Sequence, residues 1–415
     1  MEGLNMKKIK WAQSIFAGIL AVVWLFYAIA NIVAQAPSFD VDVLRGWDFD
    51  SRLENIKQTA NGSFYHHDIF QNLNGYKNQL TFSEMIPMDS SLSIIRGDGG
   101  YLYYSNNFPY ENYEYSHQAL QLREVQRATV EKGGSLLFVN CTDLYIDGLS
   151  ESDLPLSNLN ARSDALLYAL QGYGVSSMDT RRVLAESDLL PSQYRYKTEP
   201  HWTTQAGFEV YFALLGWMEQ QGGKAKDLAF FADRNNYKQT VYENAFSGQF
   251  GKRVGIPYAG YDNFTLIEPA FDTGFTLSYQ KTSHLPPKQG EFASVLLEKR
   301  WMDQSNPYEC NMYNTYLTSL YSYRQISNTL RPDGPKILVI GDAHMLPVVS
   351  FLGTAASEIC LLWPYSTPDV EGVENLLDYI DTNTFDYVII GMSPGSMYAG
   401  GFNFLDGVDV PELSE

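Results

Sequence analysis

Short apolar runs alternate with amphipathic stretches along most of this chain. A helix is predicted over 116–132, and the apolar run 136–139 that follows it is typical of a buried strand. The same order returns with a helix around 165–170 and a strand over 175–178. Helices that alternate with short, continuously apolar strands indicate an α/β fold, in which helices cover both faces of a parallel sheet.

The same pattern reappears near the C-terminus. A strand over 336–341 is followed by a predicted helix over 344–357 and by strands over 359–363 and 387–391. Between the two halves, residues 236–331 are rich in Tyr, Asn, Pro and Gly and show no clean period. We therefore expect central strands in both halves and a long insertion over 236–331 that forms strands of its own.

An alternating, glycine-centred segment over 94–103 predicts a hairpin that opens the globular domain. This places the domain at 90–415. Residues 37–89 have no strong periodicity and are interpreted as a juxtamembrane stalk and entry segment.

The first segment of the chain predicts a membrane location. Three lysines, at positions 7, 8 and 10, precede an uncharged apolar stretch over 11–34, which is long enough as a helix to cross a ~30 Å hydrocarbon core. The basic flank predicts that the N-terminus is cytoplasmic and the rest extracytoplasmic. Residues 1–36 are thus interpreted as a cytoplasmic tip and signal-anchor of a single-pass cell-membrane protein. The small-x-small sequence at 34–36 is also compatible with a cleaved signal peptide.

Composition limits the partners of the chain. The 415 residues carry a formal net charge of −19, which argues against nucleic acid and disfavours highly anionic polymers as ligands. The 29 Tyr and 7 Trp supply rings that stack on sugars or, more commonly, fill cores and interfaces. The three cysteines show no CxxC spacing and no nearby His pair, so neither a metal site nor a cofactor is predicted.

One candidate motif is Glu199-Pro200-His201-Trp202, at the entrance to an apolar helix that Thr203 or Thr204 caps. A carboxylate two residues before a histidine can orient the imidazole and stabilise its protonated form. A Glu-x-His sequence in a loop is, by itself, more often incidental.

The second candidate motif is Asp342-Ala343-His344, between a buried strand and a helix. In open α/β sheets, ligands and catalytic groups gather at this edge. A Gly-Asp-Ser sequence there would present a serine nucleophile beside backbone amides that form part of an oxyanion hole. Here Ala343 takes the place of the serine, and neither His344 nor Ser350 is expected to replace it.

These motifs resemble those of the DHHW proteins and the related alginate O-acetylation proteins, which are SGNH hydrolase-like. Residues 97–102 resemble the opening hairpin of this group, 198–207 its Thr-Asp-His-His-Trp-Thr signature, 246–255 its middle motif and 341–343 its Asp-Ser turn. The resemblance runs in the right order from about residue 90 to 395. It implies a flavodoxin-like, three-layer α/β/α SGNH domain with an extracytoplasmic site. In active members, it implies a Ser-His-Asp triad that moves or removes O-acetyl groups on polysaccharides.

Carried over by position, His201 matches the catalytic base, Glu199 the acid that orients it, and Ala343 the nucleophile. Glutamate for aspartate adds a methylene, and Pro200 replaces the first histidine of the signature and biases Glu199 towards extended backbone. The missing serine is more serious, because loss of such a nucleophile costs on the order of a million-fold in rate.

Four further residues are predicted to bind substrate at this site. Arg253, in the middle motif, is the candidate for holding an anionic or carbonyl group, with a surface salt bridge as the alternative. The others are Trp202, Asp342 and His344.

Three hypotheses follow. A degenerate relative would assist polysaccharide O-acetylation by binding a cell-surface glycan or a membrane-bound O-acyltransferase. An active acetyltransferase or acetylesterase would use an unrecognised nucleophile, or water activated by Glu199 and His201. A purely structural pair would only anchor the loop. In a relic, Glu199 and His201 need not converge on Ala343, whereas a site that binds a ligand predicts that they face an open, aromatic-lined cleft above that turn.

Overall fold

The computed structural model describes residues 68–81, 85–87, 93–104, 113–142, 159–222, 225–280, 284–318, 321–366, 370, 373 and 375–410. All of them belong to one compact unit, Tyr65–Glu415. The strands are β1 Met85–Pro87, β2 Ser93–Arg96, β3 Leu102–Tyr104, β4 Ser135–Asn140, β5 Ser177–Asp179, β6 Tyr237–Phe246, β7 Asp262–Pro269, β8 Phe275–Tyr279, β9 Lys288–Gly290, β10 Tyr323–Asn328, β11 Lys336–Gly341, β12 Glu358–Leu362 and β13 Tyr387–Met392. The helices are α1 Asp68–Thr81, α2 Ser116–Glu131, α3 Leu159–Gly172, α4 Thr180–Ala185, α5 Thr204–Gln220, α6 Leu228–Phe231, α7 Gln249–Val254, α8 Ile256–Ala259, α9 Phe292–Val295, α10 Met345–Ala355 and α11 Leu376–Asn383.

The predicted membrane location is not supported and is corrected here. Within the described residues, no helix is both long and apolar enough to cross a bilayer. The most apolar of the longer helices, α10, has 11 residues, whereas a membrane span needs about 20. The apolar stretch 11–34, on which the prediction depended, lies outside the described residues.

The largest sheet has eight strands in the order β5-β4-β13-β11-β12-β10-β8-β9. The first five are mutually parallel, as predicted. The last three are antiparallel and come from the stretch predicted as an insertion, so the sheet is mostly rather than wholly parallel. The same stretch also forms the separate antiparallel pair β6–β7.

Side chains of the central strands alternate between two hydrophobic cores. Along β4, Leu136 and Phe138 pack with residues of α2, α3 and α11, whereas Leu137 and Val139 pack with residues of α5 and α10. This alternation follows from the two-residue period of a strand. Helices therefore cover both faces of the sheet, and full burial of each such side chain stabilises the fold by about 1.5–3 kcal/mol.

Two paired glycines allow α10 to start directly beyond β11. Gly341 and Gly391 lie opposite each other on β11 and β13. Met345 is the first residue of α10. A Cβ atom would lie 2.8 Å from its Cγ if added to Gly341, and 2.4 Å from it if added to Gly391. The turn 342–344 is consequently short, and its side chains are held at the carboxyl edge of the sheet.

The predicted opening hairpin is present as β2 and β3, with Gly99 and Gly100 at φ 65° and 81° in the turn. The backbone N–H of Leu102 donates to the carbonyl of Lys197 at 2.8 Å. The hairpin thus anchors the loop that carries Glu199.

Candidate functional site

Glu199 and His201 form a buried carboxylate–imidazole pair. Oε1 of Glu199 lies 2.5 Å from Nδ1 of His201, and the Glu199 side chain is only 2% exposed. Its other oxygen, Oε2, accepts a hydrogen bond at 2.7 Å from the backbone N–H of Gln249, the first residue of α7. Both oxygens are therefore engaged, and the ring of His201 is oriented with Nδ1 towards the carboxylate.

The middle motif forms the support for this carboxylate. A Cβ atom on Gly248 would lie 2.4 Å from Cβ of Glu199, so the backbone approaches Glu199 more closely than any other residue type permits. The Gly248 N–H donates to Oγ1 of Thr198 at 2.6 Å, and that hydroxyl donates to Oδ2 of Asp262 at 2.6 Å. Residues 198 and 199 are thereby fixed by segments about fifty residues away.

Thr203 caps the following helix, α5, by accepting a hydrogen bond from the Ala206 N–H at 3.1 Å. One of the two predicted capping residues is thus confirmed.

Asp342 and His344 form a second carboxylate–imidazole pair. Oδ1 of Asp342 accepts from the His344 backbone N–H at 3.0 Å and lies 3.2 Å from Nδ1 of the ring. Its Oδ2 accepts hydrogen bonds from the Ser393 N–H at 2.7 Å, the Ser393 hydroxyl at 2.7 Å and the Ser396 hydroxyl at 2.6 Å.

These contacts keep Asp342 ionised. Burial by itself raises the pKa of Asp342, but the charge on His344 and the hydrogen bonds from His344, Ser396 and Ser393 outweigh burial. The pKa is held well below its usual range. The ring of His344 is buried with Nδ1 facing the carboxylate, and its Nε2 has no hydrogen-bond partner among the residues that the structure describes.

The two imidazoles face each other. The ring centroids of His201 and His344 are 4.7 Å apart, and the indole of Trp202 packs edge-on against His344 at 5.4 Å. Tyr313 stacks on His201 with ring centroids 4.2 Å apart and planes 5° apart. The Tyr313 hydroxyl donates to the carbonyl of Ala343 at 2.8 Å, so this residue joins the two motifs.

Six of the seven predicted site residues therefore meet. They are Glu199, His201, Trp202, Asp342, Ala343 and His344. Arg253 lies four residues beyond Gln249 on α7, and its carbonyl accepts a hydrogen bond from Asn74 at 3.3 Å.

The cluster can move protons, but the side chain at position 343 offers no oxygen to act as a nucleophile. The His201 side chain is 20% exposed, so a ligand can reach it. The His344 N–H, which follows the nucleophile position, donates to Asp342 and is not free to stabilise an oxyanion. Ser350 is buried in α10 and donates to the Leu346 carbonyl at 3.0 Å. Across the described ranges, no three His, Cys, Asp or Glu side chains are placed to hold a metal ion.

Comparison with solved structures shows which fold carries this cluster. A DHHW family protein from Eubacterium siraeum has a TM-score of 0.53 and 15% identity, over 78% of this chain and 98% of that one. PatB1 from Bacillus cereus, solved with a sulfonyl adduct, has a TM-score of 0.58 and 15% identity, over 76% of this chain and 99% of that one. The fold is that of the DHHW proteins.

The O-acetyltransferase domain of Pseudomonas putida AlgJ is more distantly similar, with a TM-score of 0.42 and 10% identity over 76% of this chain and 92% of that one. No protein-family model matches the chain. No curated protein matches it either. The similarity to the DHHW family protein confirms the predicted resemblance as a likeness of fold.

Three further residues complete the site within this DHHW fold. Ser393 directly follows β13 and Ser396 comes three residues later, so the rule that selected Asp342 at the sheet edge could also have selected them. Tyr313 lies in the aperiodic stretch 236–331, where the abundance of tyrosine gave no means of choosing among individual rings.

Proposed function

We propose that this chain binds an acyl-bearing saccharide at the cluster around His201 and His344, and assists polysaccharide O-acetylation without forming an acyl-enzyme. The acetylation-related role follows the motif resemblance to the DHHW group. The observation that carries the proposal is convergence: the Glu199–His201 pair meets the 342–344 turn, where Ala343 offers a methyl group instead of a hydroxyl.

The contacts around Glu199 support a site that still binds a ligand. Gly248 packs closely against Glu199, the Gln249 N–H donates to its carboxylate, and the Gly248 N–H donates to the hydroxyl of the neighbouring Thr198. Oε1 of Glu199 orients the imidazole of His201, Oε2 is held by the Gln249 N–H, and the His201 side chain is 20% exposed, so a ligand can reach the oriented ring.

The Asp342–His344 pair supports a binding role over covalent catalysis. Removing a nucleophile in a triad costs on the order of a million-fold in rate. At the same turn position 343 holds alanine and the N–H of His344 donates to Asp342, so neither group is available for acyl transfer.

A second candidate function is ester chemistry without the serine. It is favoured by the intact Glu199–His201 pair, which leaves Nε2 of His201 as the ring nitrogen that can activate a water or a sugar hydroxyl. In this case the attacking oxygen would come from water or the acceptor sugar.

The test uses the full-length chain and neutral O-acetylated xylo-oligosaccharides in isothermal titration calorimetry, beside hydrolysis of p-nitrophenyl acetate. Wild-type protein should bind, and His201→Ala should weaken binding about tenfold or more. His117→Ala, on α2, is the matched control. Wild-type hydrolysis should not exceed that of His201→Ala.

Ala343→Ser tests whether the site lacks only one oxygen. We expect this variant to gain ester hydrolysis that the added His201→Ala change removes. Because PatB1 was solved with a sulfonyl adduct, a sulfonyl fluoride is a suitable probe. It should modify the serine variant and not the wild type, as read by intact mass.

Wild-type hydrolysis that His201→Ala abolishes would select the second candidate. No saccharide binding by the wild type would reject the binding role.

A further inference from the structure

Three aromatic side chains outside the proposed site lie at the same edge of the sheet. Trp363 directly follows β12, Tyr365 comes two residues later, and Tyr398 lies beyond β13. Strands β12 and β13 flank β11, whose end carries Asp342. The three rings therefore lie beside the 342–344 turn, and we call them the aromatic ledge.

Hydrogen bonds connect the ledge to Asp342. The Tyr365 hydroxyl donates to Oγ of Ser396, and the Ser396 hydroxyl donates to Oδ2 of Asp342 at 2.6 Å. The ledge is thus two hydrogen bonds from the buried carboxylate that orients His344.

The rings are held in fixed positions. Tyr365 and Tyr398 stack with centroids 5.7 Å apart and planes 23° apart, and the centroid of Trp363 lies 6.4 Å from that of Tyr365. A Cβ atom on Gly401 would lie 1.7 Å from the Ser396 carbonyl oxygen, and the Gly401 N–H donates to the Tyr398 carbonyl at 2.8 Å. A glycine is therefore required to close the turn that presents Tyr398.

Tyr398 is nevertheless 50% exposed, although its neighbours on the ledge are partly buried. A tyrosine held by its backbone and stacked on one side offers a rigid apolar face with a polar tip, at little cost in conformational entropy on binding. The C–H face of a pyranose ring matches such a surface.

The net charge of the chain limits the class of sugar that the ledge can bind. The chain has a formal net charge of −19, which repels polyanions at long range. An uncharged glycan is therefore favoured over an anionic one.

We propose that the aromatic ledge is a saccharide subsite, in which Tyr398 stacks on an uncharged pyranose unit next to the unit held at Ala343. This inference rests on the proposed function and names the class of sugar and a residue that selects it.

The experiment measures binding of cellopentaose, chitopentaose, mannopentaose and xylopentaose to the full-length chain by calorimetry, with hexamannuronate as the anionic comparison. For a neutral oligosaccharide that binds the wild type, Tyr398→Ala should weaken binding about tenfold. Tyr398→Phe should stay within about twofold of the wild type because it keeps the ring. Hexamannuronate should bind at least about tenfold more weakly.

Tyr168→Ala is the matched control. Tyr168 is 81% exposed and lies on α3, the helix that precedes the edge strand β5. It should bind like the wild type. Wild-type affinity in Tyr398→Ala, or equal loss in Tyr168→Ala, would overturn the subsite, as would tighter binding of hexamannuronate.

His201→Ala separates this proposal from the proposed function. Loss in Tyr398→Ala but not in His201→Ala would keep the ledge and reject the cluster as the binding site. Loss of binding in His201→Ala alone would keep the cluster as the binding site and reject the ledge. Failure of all four neutral oligosaccharides to bind the wild type would overturn the ledge.

Discussion

The close approach of the Gly248 backbone to Glu199 makes Gly248→Ala a sharp test of how Glu199 is held. An added Cβ would lie 2.4 Å from Cβ, 2.6 Å from Cα and 2.6 Å from Oε2 of Glu199. Gly248 has φ −77° and ψ −168°, which alanine adopts without strain, so the cost is steric alone. Two of these contacts involve atoms at the base of Glu199, which a change of its rotamer cannot move.

The expected magnitude combines two effects. Overpacking of this kind costs about 1–3 kcal/mol. Displacement of Glu199 would also break the bond from the Gln249 N–H, a hydrogen bond to a charged group worth about 1.5–3 kcal/mol. We therefore expect Gly248→Ala to lower the free energy of unfolding by about 3 kcal/mol or more, measured by urea denaturation with tryptophan fluorescence.

The matched control is Gly216→Ala, in the middle of α5, where an added Cβ meets no atom within 4 Å. Alanine favours a helix over glycine, so this variant should be more stable than the wild type by about 0.5–1 kcal/mol. A lower free energy of unfolding for Gly248→Ala together with a higher one for Gly216→Ala would support the reasoning. A Gly248→Ala protein as stable as the wild type, with saccharide binding unchanged, would refute it.

Three further variants, at Asp342 and Tyr313, test the contacts around the 342–344 turn. Since the folded-state pKa of Asp342 is depressed, its stabilisation is present above the unfolded pKa of about 3.9 and is lost as pH falls through the folded value. Asp342→Asn should thus cost about 3 kcal/mol at pH 7 and progressively less below about pH 4, in urea unfolding beside the exposed Asp381→Asn. Tyr313→Phe should cost about 1 kcal/mol for the lost bond to Ala343. Tyr313→Leu should also shift the His201 ring signals in NMR because stacking is lost, and unchanged signals would contradict this contact.

Local pattern was sufficient for the elements that surround the site. Strands β4, β11 and β13 are continuous apolar runs, and α2 has a helical period, so each was recognisable from neighbouring residues alone. The edge at which parallel strands end then placed Asp342 and Ala343 at a site.

Within the predicted insertion, local pattern was not sufficient. Strands β8, β9 and β10 join the main sheet as antiparallel strands, because β10 pairs with β12 and β8 with β10 across long stretches of chain. No period in this segment indicates which strand it will meet. The prediction of a parallel central sheet holds for five of its eight strands and did not include the three antiparallel strands that extend it.

The sequence by itself determined the apolar strands, the Glu-x-His and Asp-x-His motifs, and the alanine at the nucleophile position. Tertiary structure alone decided that His201 and His344 come into contact and that Tyr313 stacks on His201 while its hydroxyl donates to Ala343. The contact of Gln249 with Glu199 spans 50 residues and that of Ser393 with Asp342 spans 51. Periodicity reports which side of an element is buried, whereas contacts over such separations depend on how packed elements bring distant segments together.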